Sequence, residues 1–300
     1  MNQRWKLGAF AAFLVVDVVL VGFMIRELND DQRDAVSKAP PTTTTEAQKT
    51  EEPTGAVGVT TKGAGDTLIR SRHGSCSDTG RPLLEISRDG GQNFQEMAVP
   101  VLEEADATEP GSRPTSVRTV LHVELESADE FTIVAGDEKC EPHRYASEDG
   151  GQTWDRKKGF EAWFVDAANS EIVSSNGVLN PGCKQITALS QLSDGGAKVA
   201  CSGGAIRATT DGGATWATVG NLENVKAAVF AGVRVGFAIA EGAKCMRSYS
   251  TEDGGASWQA AGCVEDVDVE DLAGTATHLV VADEKDVRTS TDQGESWKKP

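Results

Sequence analysis

Thr209-Thr210-Asp211-Gly212-Gly213-Ala214-Thr215-Trp216 decides how this chain is read, because near-copies of it occur at four other places. They are Ser87-Arg88-Asp89-Gly90-Gly91-Gln92-Asn93-Phe94, Ser147-Glu148-Asp149-Gly150-Gly151-Gln152-Thr153-Trp154, Thr251-Glu252-Asp253-Gly254-Gly255-Ala256-Ser257-Trp258 and Ser290-Thr291-Asp292-Gln293-Gly294-Glu295-Ser296-Trp297. Five near-copies of S/T-x-D-x-G-x-T-W make an internal repeat, which governs every more local feature.

The aspartates of successive boxes are 60, 62, 42 and 39 residues apart. About 40 residues is the length of one four-stranded propeller blade. The text before each box breaks into short runs of strand composition separated by Gly and Asp turns. The last unit predicts strands at Asp266–Leu272, His278–Ala282, Asp286–Thr291 and Ser296–Lys299. The unit before it predicts Val225–Phe230, Gly236–Ala240, Met246–Thr251 and Ser257–Ala261. Ala162–Ala167, Glu171–Ser175 and Gly177–Leu179 are strand-like without a box, which makes a degenerate blade between boxes two and three. Residues 57–300 are therefore expected to form an all-β propeller of six blades, with five or seven as the alternatives.

Each box falls in the turn between third and fourth strands. There Asp can accept from backbone N–H groups two or three residues on, and glycine supplies a positive φ. The aromatic can bury a large area against a neighbouring blade. The residues given these structural roles are Asp89, Gly91 and Phe94; Asp149, Gly151 and Trp154; Asp211, Gly213 and Trp216; Asp253, Gly255 and Trp258; and Asp292, Gly294 and Trp297. The boxes are similar to the Asp box, or bacterial neuraminidase repeat, and from residue 57 onward the chain resembles the Asp-box propeller family. That family includes sialidases, some glycoside hydrolases, sortilin-type receptors and photosystem II assembly factors. The resemblance implies a propeller in which the box itself is structural.

A sialidase-like activity would imply an arginine triad, a Tyr/Glu nucleophile pair and an acid Asp. The chain has two tyrosines, Tyr145 and Tyr249, each two residues before the Ser or Thr that opens a box. That register places both on third strands toward the blade exterior. No F-R-I-P signature occurs, His73, His122, His143 and His278 are scattered, and no G-x-S-x-G is present. A metal at the boxes is disfavoured because an EF-hand pattern needs further ligands and a closing Glu. No cofactor and no metal are expected.

The six cysteines are an even number. All map to the face carrying the second-to-third connections and the links between blades, opposite the boxes. Local pairing joins Cys183 to Cys201 and Cys245 to Cys263, leaving Cys76 for Cys140 across adjacent blades. Paired C-x-x-C spacing for a metal is absent. On or near this face, Arg70, Arg72, His73, Arg81, His143 and Arg144 form a candidate basic patch. Arg118, His122 and Glu124 share parity on a first strand and form a candidate cluster in the central channel.

Ahead of the propeller, residues 7–25 hold 19 residues with Asp17 as the one charge, long enough to cross a hydrocarbon layer. Arg4 and Lys6 precede the span and acidic residues follow it, so residues 1–6 are expected in the cytoplasm. Gly22-Phe23-Met24-Ile25-Arg26 offers no A-x-A-like cleavage site, so the span reads as an uncleaved anchor. Residues 26–56, rich in Thr, Pro and acids around Pro40-Pro41-Thr42-Thr43-Thr44-Thr45, read as a disordered stalk. The formal charge of −17 excludes nucleic acid as a natural partner. The expectation is a bacterial-type single-pass membrane protein whose extracytoplasmic propeller binds a membrane or cell-surface protein, or a glycan, without catalysis. The alternative is a divergent glycoside hydrolase or lyase with its site in the central channel.

Overall fold

The computed structural model describes residues 56–61, 66–74, 81–102, 115–166, 170–193 and 195–300. The expected cytoplasmic segment, the anchor and all of the stalk but its last residue lie outside these. Among the described residues every regular element is a strand, and the strands form six consecutive antiparallel meanders.

Blade one contains β1 (Val57–Thr61), β2 (Leu68–Arg72), β3 (Leu83–Ser87) and β4 (Gln95–Glu96). A two-stranded ribbon, β5 (Val101–Leu102) with β6 (Thr115–Ser116), leads to blade two. Blade two contains β7 (Thr119–Leu125), β8 (Phe131–Gly136), β9 (Pro142–Ser147) and β10 (Asp155–Lys157). Blade three has β11 (Phe164–Asp166), β12 (Glu171–Ser174) and β13 (Gly177–Leu179). Blade four contains β14 (Ile186–Ser193), β15 (Gly196–Cys201), β16 (Ala205–Thr209) and β17 (Ala217–Asn221). Blade five contains β18 (Val225–Phe230), β19 (Gly236–Glu241), β20 (Met246–Thr251) and β21 (Gln259–Val264). Blade six contains β22 (Asp271–Thr275), β23 (His278–Ala282) and β24 (Val287–Ser290), with a single bridge from Thr289 to Lys298 in place of a fourth strand. The first strands neighbour one another in order, and β22 returns to β1, so the ring closes on six blades.

The boxless unit is a blade of three strands. After β13, Pro181 and Gly182 (φ 74°) turn the chain away from strand geometry, and Cys183 is bonded to Cys201 of blade four. Two strands expected of blade six are altered: Ser296–Lys299 is reduced to the bridge at Lys298, and the first strand is misplaced. The first strand of blade six begins at Asp271, five residues later than Asp266. Asp266 has φ 56° and its carbonyl accepts from Arg288 Nη2 at 3.0 Å, which breaks a ladder there. The alternation of Asp266, Asp268 and Glu270 with Val267 and Val269 belongs to a link whose valines pack on the core.

The boxes reach further along the chain than a simple Asx turn. In the box at residues 251–258, Thr251 Oγ1 donates to Asp253 Oδ1 (2.8 Å) and accepts from Gly255 N (2.9 Å). Asp253 Oδ1 also accepts from Ser257 N (2.9 Å), and Oδ2 accepts from Ser257 Oγ (2.5 Å). A backbone donor four residues on recurs in every box, joined at Asp149 by the expected one three residues on, Gln152 N at 3.0 Å, and the opening hydroxyl is the buried hub of the turn. The other four boxes repeat the network. Thr251→Val keeps the shape and removes the acceptor for the buried Gly255 N–H, so it is expected to cost about 1–3 kcal/mol. Thermal unfolding of the variant measures this, and an unchanged Tm refutes the hub role.

Direction is the second rule of the boxes. Each aromatic packs between its own blade and the one before. Phe94 joins Val280, Ala282 and Val287 of blade six, and Trp154 joins Ile69, Leu84 and Ile86 of blade one. Trp216 lies 6.5 Å from Trp163 of blade three. Trp258 joins the cluster of Ala200 and Ile206 from blade four, and Trp297 that of Phe237 and Ile239 from blade five. Among the described residues five apolar clusters therefore fill five seams. None of the five bridges blades two and three, where the box is missing. The same directionality explains Gly220 of β17 and Gly262 of β21, which sit at or beside bulges and face the box of the following blade. A Cβ on Gly220 would overlap the carbonyl oxygen of Gly255, and one on Gly262 would overlap that of Glu295.

Candidate functional site

Antiparallel meanders put the second-to-third connections at one end of the ring and the boxes at the other. The disulfides Cys183–Cys201 and Cys245–Cys263 form as expected, with their loops on the first of these ends. Cys140 is also disulfide-bonded, while Cys76 lies outside the described residues.

The candidate cations of this face are largely neutralised by carboxylates. Arg70 donates to Glu85 at 2.8 Å with its guanidinium over the Phe94 ring at 4.4 Å. Arg72 pairs with Glu284 of blade six at 3.4 Å, and Arg81 with Glu96 at 2.8 Å. His143 Nε2 lies 3.3 Å from Asp137 Oδ2, and its Nδ1 lies 2.8 Å from Arg156 Nη2. Of the six, Arg144 and His73 have no ion-pair partner among the described residues. Asp137, Glu141 and His143 bring three ligand atoms within 4.8 Å, but the arginine against the imidazole opposes a cation there. Burial alone would raise the Asp137 carboxyl. Donation from Glu141 N and Lys139 N, together with His143, outweighs it and holds the group below its ordinary range.

The channel cluster does not keep the parity expected of it. A bulge between Val120 and His122 shifts the register of β7, so Arg118 and His122 leave the strand differently. Arg118 lies 3.7 Å from Glu138 on the disulfide-bearing face, and Glu124 is exposed. His122 instead lies near His73. The ring of His73 crosses β1 at Gly58, where a Cβ would come within 2.8 Å of Nε2. Burial pushes both imidazoles below their ordinary value, His122 to about 4 with a further contribution from His73. Both are neutral at pH 7, which removes them as anion-binding cations. Tyr145 is not on the blade exterior: it is 3% exposed in the core between blades one and two, because third-strand residues at this register face the seam. Tyr249 packs likewise on the core between blades four and five.

Sequence reasoning did not find the acids that close the ring. Glu270 Oε2 accepts from Val57 N (3.2 Å), and Asp271 Oδ2 accepts from Val59 N (2.8 Å), so blade six holds the free inner edge of β1. Among the described residues no strand is exchanged between the two blades. Burial pushes the Asp271 carboxyl up to about 6, opposed by the Val59 and Leu272 N–H groups and reinforced by Glu270. A raised carboxylate makes the fold favour protonation, so this group's contribution to stability is greatest below about pH 4 and falls as pH rises toward 6. The box carboxylates Asp89, Asp149, Asp211 and Asp292 act oppositely. Held at about 2 chiefly by side-chain donors, they stabilise above about pH 4 and lose this as pH falls through 2. Asp271→Asn is expected to flatten the limb between pH 4 and 6 and leave the acid limb intact. Urea midpoints across pH 2–7 test this; an unchanged upper limb contradicts the assignment.

No protein-family model matches the chain, and no curated protein does. Solved structures of similar fold include YCF48 bound to D1 peptide, at 18% identity over 83% of this chain and 70% of that one, with a TM-score of 0.30. YCF48 from Cyanidioschyzon merolae aligns at 14% identity over 83% and 72%, with a TM-score of 0.31. The GH74 xyloglucanase from Xanthomonas campestris aligns at 13% identity over 79% of this chain, with a TM-score of 0.41; the chain spans 45% of that enzyme's length. Strand order and ring closure carry the conclusion that the described residues of this chain form an all-β, six-bladed β-propeller.

Proposed function

We propose that the chain is a membrane-anchored, extracytoplasmic propeller of the Asp-box type that holds a protein or glycan partner on its disulfide-bearing face and performs no catalysis. The observation that carries this reading is the pair of disulfides on that face, which belong to an oxidising compartment and stiffen the loops a partner would meet. The span at residues 7–25 supplies the anchor and the stalk supplies reach. One observation favours the alternative of a glycoside hydrolase: a carboxyl at about 6 beside the channel has the pKa of a general acid. Both oxygens of Asp271 are nevertheless occupied by backbone donors, which suits a strut between blades.

Site-specific photocrosslinking of the full chain in its own membrane tests the reading. A crosslinker at exposed Lys139 is expected to give a discrete adduct, and one at Gln152 on the box side none. Glycan turnover by the purified full chain, with no adduct from Lys139, overturns it.

A further inference from the structure

A cleft of about 170 Å³ opens on the box side of the rim, at the seam between blades five and six. Ser250, Glu252 and Gln259 line it from blade five, Gln293 and Glu295 from blade six, and two alanines complete it. The repeat supplies an internal control. At the seam between blades four and five the equivalents of Glu252, Gln259, Gln293 and Glu295 are Thr210, Ala217, Gly254 and Ala256. All four positions are long acceptors only at the seam of blades five and six; the seam between blades one and two shares two carboxamides, Gln95 and Gln152, but has Arg88 and Gly150 in place of Glu252 and Gln293.

None of the four changes serves the packing of the box, which the opening hydroxyl, the second glycine and the aromatic provide. One works against it. Gln293 stands at φ 60°, where Gly90, Gly150, Gly212 and Gly254 have φ 74–79°. A left-handed conformation is unfavourable for any residue with a Cβ. Neither Glu252 nor Glu295 has an ion-pair partner among the described residues; Arg234 Nε donates to the main-chain carbonyl of Glu252 instead.

Size and chemistry select the occupant. Sites for small-molecule ligands run from about 300 to 1,000 Å³, so this cleft takes one side-chain head group. Two carboxylates and two carboxamide oxygens complement a group that only donates, and guanidinium offers five N–H donors with a fixed charge. No aromatic lines the cleft, so it lacks a surface on which a sugar ring would stack. We propose that the cleft between blades five and six is a recognition pocket for an arginine side chain of a partner protein. It lies opposite the disulfide-bearing face, so it would be a second contact, independent of the one assigned above.

The probe is the blocked tripeptide N-acetyl-Gly-Arg-Gly-amide, titrated into the full chain in zwitterionic detergent at physiological ionic strength and followed by amide NMR. Shifts are expected to concentrate at Ser250, Glu252, Gln259, Gln293 and Glu295, and the citrulline counterpart is expected not to bind. The double variant E252Q/E295Q should weaken binding at least about tenfold, the loss of one charge-assisted pair. Gln293→Gly should weaken binding while leaving Tm unchanged or higher, which a purely structural glutamine would not do. Equal weakening by Glu265→Gln, an exposed acid elsewhere, equal binding of citrulline, or shifts scattered over the surface would each overturn the proposal. Such a failure leaves the disulfide-face reading standing, because that reading is decided by the crosslink from Lys139.

Discussion

Gly220→Ala is expected to lower the stability of the propeller by about 3 kcal/mol, at the upper end for an overpacked position. The reason is that the obstruction is main chain on both sides. Gly220 lies in β17 of blade four, and the carbonyl of Gly255, in the box of blade five, occupies the space a Cβ would need. A side chain there could swing aside; a box locked by Thr251 and Asp253 cannot. For a domain of this size the loss corresponds to a fall in Tm of about 6–12 °C. Gly203→Ala is the control, because nothing lies within 4 Å of its added methyl. Equal behaviour of the two variants in differential scanning calorimetry refutes the argument.

Lys198→Met carries the second large effect. Lys198 is 6% exposed on β15, with its ammonium 4.6 Å from the centre of the Phe230 ring. It donates to Val233 O (2.6 Å) and to Gly254 O (2.7 Å), tying blade four to the box of blade five. Burial holds its pKa below the ordinary lysine range, partly offset by Asp253. Removing the ammonium relieves that desolvation but leaves the buried Gly254 carbonyl alone. The orphaned acceptor and two charge-assisted bonds outweigh the relief, so a net loss of about 2–4 kcal/mol is expected. Methionine keeps most of the volume, so the loss reports the hydrogen bonds; Lys198→Ala adds a cavity and should cost more. Amide exchange at Gly255 and Ser257 should quicken in both variants. Unaltered exchange there, even with a lowered Tm, would separate the lysine from the box.

Much of the architecture was legible because a repeat states it five times over. Spacing near 40 residues exposed the blade unit, and β13 and β18 have the bounds read from composition. What stayed hidden concerns neighbours. The pattern places the first strand of blade six five residues early because Val267 and Val269 alternate with acids in an extended link just as they would in a ladder. A single bulged residue in β7 undid the parity of Arg118 with His122, and no sequence pattern announces a bulge. The arginines looked like a patch because their partners, such as Glu284 for Arg72, are distant in the chain. Two local signals in the sequence do point to neighbours. Gln293 departs from glycine at a position where four copies agree, and Lys198 is charged where the equivalents Ile69, Thr132, Phe237 and Val280 are not.

The direction in which the box aromatics pack has a consequence for the order of synthesis. Trp154, Trp216, Trp258 and Trp297 each find a blade already made, so every boxed blade can seal its predecessor as it leaves the ribosome. Phe94 alone must wait, since its partners Val280, Ala282 and Val287 are the last to be translated. The ring is then a chain of clasps fastened in sequence, with one clasp held open from the first blade until the sixth is finished.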